Sequence, residues 1–355
     1  MTARLGELWN ESPPRSRVAL VVLVVLLALL PLVADRFLLT TLILILTLAY
    51  VGQAWNIMMG FAGQLSLGHA LYVGLGAYTA AALFQHFAIS PWIGMLVAVA
   101  VCVAAASIIG WLAFRFGISG TYFALLTIAF AEFTRIGFDH FAWVGGSAGF
   151  FIRVSAGGTR DWANLRGGPL MFYYLALALA VLAFLVSAWL LRGRAGYYFR
   201  AIRDNEDAAR AAGVDTFRYK LYAIQISAGL TALAGVFYAF YYSNLFPEQI
   251  FNISRSIEIV LVPIIGGIGT LFGPVLGAAI LTVLSEALNY TLAAIGVDVP
   301  GVKLVLYGVV LGATIMFMPH GVWPGLARRL GFERRRPGAA AAAEDAASDG
   351  RTPDA

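Results

Sequence analysis

Charge and cysteine are what this chain has little of. Only 12% of its 355 residues are Asp, Glu, Lys or Arg, against roughly 25% in an average soluble domain. That shortage leaves too little polar surface to solvate a globular particle, and the mean hydropathy of +0.81 argues the same way. The single cysteine, Cys102, lies inside an apolar run, so no disulfide can form within the chain and redox chemistry says nothing about its compartment. No GxxxxGKS/T phosphate loop is present, so ATP and its Mg are expected on partner subunits and no cofactor is expected here. HExxH and paired intramembrane aspartates are also missing, and His69 has no metal-ligand constellation around it. The chain reads as no enzyme.

Long apolar runs take up the length instead. VALVVLVVLLALLPLVA and LLTTLILILTLAY are apolar all round, whereas a membrane barrel alternates in segments of about 10 residues. The fold class is therefore all-α, a polytopic helical membrane protein. Crossings of about 20 residues, enough for a hydrocarbon core of about 30 Å, are expected near 18–34, 37–59, 67–86, 91–114, 120–138, 171–191, 221–243, 256–272, 274–296 and 303–319. The first run exceeds a signal-peptide core and a second follows at once, so it is read as a retained span.

Ten crossings place both termini on one side. That side would hold 17 Lys and Arg, including the seven between Arg192 and Lys220, against 6 on the other: Arg36, Arg153, Arg160, Arg166, Arg255 and Lys303. The positive-inside rule makes the richer side cytoplasmic. The net charge of +5 then needs no nucleic acid; the surrounding partner is membrane lipid. The expected organisation is a cytoplasmic segment 1–17, a membrane domain 18–330 with an outer loop 139–170 and an inner loop 192–220, and a disordered cytoplasmic tail 331–355.

Glycine interrupts this pattern at two places. GFAGQLSLG, Gly60 to Gly68, and GGIGTLFGP, Gly266 to Pro274, each follow an apolar run and open another. Backbone that leaves the helix at membrane depth survives only when buried in protein or lining a wet cavity, and paired interruptions hint at an inverted repeat. A true repeat and a chance likeness of Gly-rich strings both stay open. Gln64, Ser66, His69, Gly266 and Gly269 are the translocation-path candidates; the competing reading is close packing with hydrogen bonds between helices.

Intramembrane charge supplies further candidates. Glu132 and Arg135 are one turn apart and suited to pair, while Glu286 has no obvious partner in its own helix. GPVLG at 273–277, GVVLG at 308–312 and the series Ser227, Thr231, Gly235 carry small residues at four-residue spacing, the pattern of close helix contact.

The inner loop, GRAGYYFRAIRDNEDAARAAGVDTFRYKL, predicts a short helix over 206–212. Asp204 or Asn205 is placed to cap its start, and Gly213 to end it in a left-handed conformation. A capped helix between two spans is more specified than a tether requires, so it is read as a docking element.

At this loop the chain resembles the permeases of ABC importers. Their cytoplasmic coupling loop has an EAA-x3-G pattern, which Asp207, Ala208, Ala209 and Gly213 reproduce with Asp for Glu; the later Ile-x-Leu-Pro is missing. The likeness narrows to the branched-chain amino acid (Liv-type) family, through GQLSLGHALYVGLGAYTAA, GTYFALLTIAFAEFTRI, VGGSAGF, the inner loop and IGGIGTLFGPVLGAA. The resemblance implies a bacterial inner-membrane importer with two homologous permease subunits, two cytoplasmic ATPases and an extracytoplasmic solute-binding protein. It also implies that Asp207, Ala208, Ala209 and Gly213 meet the ATPase, and Arg200, Arg203, Asn205 and Glu206 of the same loop are read as coupling residues beside them. Urea, short amides or aromatic acids as cargo, and a stand-alone secondary transporter or channel, are the alternatives.

Overall fold

A computed structural model describes residues 25–32, 34–152, 162–294 and 301–329. The segment 1–17, the start of the first expected crossing and the tail from 331 lie outside the described residues. The described residues are mainly helical, with one two-residue strand pair and short irregular connections.

Nine long helices make up the body of the described residues: α1 (Arg36–Asn56), α2 (His69–Phe87), α3 (Pro91–Arg115), α4 (Gly120–Asp139), α5 (Pro169–Arg192), α8 (Thr216–Tyr242), α10 (Ile253–Gly266), α11 (Gly273–Ala294) and α12 (Val302–Phe317). Short elements join them: β1 (Phe150–Phe151), α6 (Arg194–Asp204), α7 (Glu206–Ala211), β2 (Asn244–Leu245), α9 (Pro247–Ile250) and, after α12, α13 (Val322–Arg329). Residues 25–29 add a helical turn ahead of α1.

Local chemistry sets many boundaries. Asp35 accepts from the Leu38 amide at 2.8 Å to start α1, Asp215 from the Arg218 amide to start α8, and Asn252 from the Ser254 amide to start α10. Pro91 and Pro169 open α3 and α5, where the missing N–H costs nothing.

The helices alternate between two ends. At one end the 192–220 loop meets the far ends of α1 and α3, through Arg203 on Gly60 and Lys220 over the Phe114 ring, and the end of α10 joins α1 there through Gly269 on Asn56. At the other end Phe150 pairs with Leu245, His86 stacks on Trp143 at 4.4 Å, and Trp92 donates to the Trp162 carbonyl. Among the described residues six helical segments are long and apolar enough to cross a membrane by length and composition: Arg36–Phe61, Pro91–Arg115, Pro169–Arg192, Thr216–Tyr242, Pro247–Gly266 and Gly273–Ala294. α2 and α4 fall outside that set, as does the 16-residue α12.

Two boundaries differ from the sequence expectation. The segment expected to span 256–272 leaves the helix at Gly266, because Gly267 turns with φ +125° and donates to the Pro263 carbonyl at 2.8 Å. α8 begins at Thr216, five residues before the apolar run, since the Asp215 cap lets it enclose Lys220. The small-residue patterns also separate. Gly277 packs so tightly on α10 that a Cβ there would lie 1.8 Å from the Val262 carbonyl oxygen, whereas Gly308 and Gly312 face open space.

Candidate functional site

At the end of α1 the helix widens into a π-type turn, Ile57–Phe61, and then runs irregularly to Gly68. The polar backbone of this break finds partners inside the protein, as burial demands. Trp55 Nε1 donates to the Ser66 carbonyl at 2.8 Å, Thr127 Oγ1 accepts from the Leu67 amide at 3.1 Å, and Ser256 Oγ accepts from the Ala70 amide at 3.0 Å. The second break, Gly267 to Phe272, lies against the first. Fully buried Asn56 accepts from the Gly269 amide at 2.8 Å through Oδ1 and donates to the Thr270 carbonyl at 2.9 Å through Nδ2. Gly269 sits at φ +76° with its Cα against the Gly60 carbonyl, where a side chain would be strained and unaccommodated.

The inner loop reaches this junction directly. Arg203, on the last turn of α6, donates to the Gly60 carbonyl at 2.8 Å while its other nitrogens hold Asp204 at 3.0–3.1 Å. Asn205 then ends α6 and caps α7, its Oδ1 accepting from the Ala208 amide at 2.9 Å; Asp204 takes no part in the cap. Gly213, at φ +86°, closes α7 with the Val214 amide on the Ala209 carbonyl.

Glu206 and Asp207 behave oppositely. Glu206 Oε1 accepts from Lys220 Nζ at 2.7 Å and from Arg210 at 3.0 Å, which fixes α7 to α8. Partial burial alone would raise its pKa; the Lys220 bond and charge, with Thr216 and Arg210, outweigh that and hold the carboxyl below its ordinary 4.5. Asp207 points outward, its side chain 93% exposed and only 3.7 Å from Arg210 as a loose ion pair. Exposed Arg200, Asp207 and Ala208 form a face turned away from the helices, with buried Ala209 behind it.

The path candidates of the first break are enclosed in this conformation. His69, fully buried, lies 3.1 Å from Ser66 Oγ through Nδ1 and 2.9 Å from Ser227 Oγ through Nε2. Ser227 spends its only proton on the Ala54 carbonyl at 2.8 Å, so it must accept from a proton on Nε2. Gln64, also buried, donates to the Ala62 carbonyl. Gly266 packs against the Gly273 backbone, with a Cβ there falling 1.7 Å from its oxygen.

Of the charges expected inside the membrane, Arg135 binds Glu132 at 2.5 Å and also Asp139 at 2.8 Å, a second partner not anticipated. Glu286 lines a cavity of about 240 Å³ between α1, α8, α10, α11 and α12, together with Arg255, Glu258 and Tyr307. Arg255 had entered the charge count only as an outer-side residue, and Asn56 was one amide in an apolar run. Gly145 to Gly149 has the spacing GxSxG, but its centre is a single 3₁₀ turn, Gly146–Ala148, that follows another at Ala142–Val144, instead of the strand-to-helix elbow that nucleophile needs.

Comparison with known proteins supplies the family. The model described as "Branched-chain amino acid transport system / permease component" matches residues 18–319. The chain belongs to this family. It is 28% identical over 338 residues to the high-affinity branched-chain amino acid transport system permease protein LivM of Escherichia coli, covering 89% of this chain and 76% of that one. LivM of Salmonella typhimurium is likewise 28% identical, over 79% of this chain and 68% of the relative. The autoinducer 2 import system permease protein LsrC of Yersinia pseudotuberculosis is 34% identical over 34% and 36% of the two chains. No solved structure matches.

Proposed function

We propose that the chain is one permease subunit of an inner-membrane ABC importer for branched-chain or related apolar amino acids. A second homologous permease, two cytoplasmic ATPases carrying ATP and Mg, and an extracytoplasmic binding protein complete it. In this reading the membrane domain threads the bilayer about ten times, both termini and the 192–220 loop face the cytoplasm, and the two breaks are corresponding parts of an inverted repeat. Their mutual contact through Asn56 supports that pairing.

The observation that carries the proposal is Arg203 on Gly60. A short helix pair with an outward acidic and basic face is tied by one side chain to the point where two spans break, so a push on α7 reaches α1 and α10. The Arg200, Arg203 and Asn205 to Ala209 stretch, with Gly213, is the lever; Gly266, Gly269, Gln64, Ser66 and His69 form the ground on which it acts. Reconstitution of the co-expressed complex tests this. ATP-dependent uptake of labelled L-leucine, and labelling of Asp207→Cys only from the cytoplasmic side, are expected. Labelling from outside intact cells would overturn the proposal.

A further inference from the structure

We infer that the cavity around Arg255 and Glu286 is a transit site for a zwitterionic α-amino acid; this rests on the importer reading and adds to it the place and the chemistry of solute contact. The cavity's volume of about 240 Å³ equals the share of about eight waters, room for a solute of roughly that many heavy atoms. Its walls divide by polarity. Ile43, Leu44 and Leu48 of α1 form an apolar side, while α10 and α11 contribute the charged groups, and hydroxyls come from α11, from Tyr307 of α12, from Thr47 and from the α8 tyrosines Tyr238, Tyr241 and Tyr242.

The polar side is incomplete by itself. Arg255 Nη1 holds Glu258 at 3.2 Å, and the Tyr307 hydroxyl donates to Glu258 at 2.9 Å while accepting from Ser285 at 3.3 Å. Glu258 is thus provided for. Glu286 faces the same space with no ion-pair partner among the described residues, and Thr282, 4% exposed, has a hydroxyl with no hydrogen-bond partner. An unmatched carboxylate inside an apolar bundle is costly, and an orphaned buried hydroxyl costs free energy too. A solute bearing an ammonium for Glu286, a carboxylate for the Arg255 guanidinium beside its bond to Glu258 and its stack on the Tyr238 ring, and an apolar side chain for α1 matches each of these walls. A simple amine leaves Arg255 unused, and a simple acid leaves Glu286 unmatched.

Position also fits a transit role. Arg255 lies eleven residues before Gly266, about 16 Å along α10, so the cavity sits in the half of the bundle away from the Arg203 junction. α1 and α10 wall it, and both end in the breaks that Asn56 and Arg203 hold together. Movement of those breaks therefore moves the walls of the cavity.

The experiment uses the assembled complex with Ser285→Cys, since native Cys102 is fully buried and inert to polar thiol reagents. L-Leucine is expected to slow methanethiosulfonate labelling about tenfold, whereas 4-methylpentanoate and 3-methylbutylamine, each lacking one charge, protect about tenfold less. Arg255→Gln and Glu286→Gln should abolish protection, and Thr282→Val should weaken it, in complexes that still copurify with their ATPases. Equal protection by the amine or the acid, or none by leucine in a complex that imports leucine, overturns the cavity assignment. A wild-type complex that imports no amino acid overturns the importer reading instead.

Discussion

The guanidinium of Arg203 donates 2.8 Å to the carbonyl of Gly60, a residue 143 positions earlier in the chain. This is a charged donor on a backbone acceptor in a segment that has left the helix, and it joins the end of α6 to that break. Its loss should cost little stability, roughly 1–2 kcal/mol given its partial exposure, but it should remove the mechanical link. Arg203→Ala is expected to lower ATP-driven uptake about tenfold while the ATPases still bind and hydrolyse ATP. Arg203→Lys keeps a donor without the fork that also holds Asp204, so it should fall between. Uptake in Arg203→Ala at the wild-type rate per ATP would remove this link from the mechanism.

Gly213 separates conformation from contact. A Cβ there would meet nothing within 4 Å, yet its φ is +86°, a region costing an ordinary residue about 1–2 kcal/mol. Gly213→Val should therefore unwind the end of α7 without a clash. We expect uptake to uncouple from ATP hydrolysis, the melting temperature of the purified chain changing by only a few degrees. Gly213→Asn, better suited to left-handed backbone, should retain most uptake; loss equal to that of valine would argue that something other than backbone conformation is at stake.

Much of this loop was legible beforehand because capping chemistry is local: Asn205, Glu206 to Ala211 and Gly213 adopt the helix and stop that their types favour. The long apolar spans were legible for the same reason. What sequence spacing does not carry is pairing across 143 to 214 positions, so the partners of Asn56, Arg203 and Ser256 came only with the fold. The glycines of both breaks were visible as interruptions, yet that the interruptions touch each other was not. His69 and Ser66 were singled out for polarity in an apolar run; their enclosure depends on Ser227, 158 residues away.

Glu206 and Lys220 predict a pH response. The folded carboxyl titrates below its ordinary 4.5, so the native state holds its proton less tightly than the unfolded chain. The stabilisation is fully present above about 4.5 and is lost as pH falls through the lower folded value. Between pH 6 and 8 the wild type should show no change from this group. Glu206→Gln should strand the buried Lys220 ammonium, 5% exposed, at a cost of about 2–3 kcal/mol, and Glu206→Gln with Lys220→Met should recover most of it. Thermal unfolding in detergent reads both, and a double variant no more stable than the single one would deny the pairing its role.

Asn56 makes the sharpest demand on side-chain chemistry, because one amide both accepts from the Gly269 N–H and donates to the Thr270 carbonyl. Asp retains the acceptor but sets an anion 2.9 Å from a carbonyl oxygen, and Leu leaves both backbone groups unpartnered in a buried site. Each unmet group costs about 1–3 kcal/mol, and the Asp charge adds repulsion and desolvation. Asn56→Leu should lower the unfolding midpoint, and Asn56→Asp should lower it further at pH 7 than at pH 5, where a proton restores a donor. If Asn56→Asp proves as stable as wild type at pH 7, the two breaks are held together by packing and not by this amide.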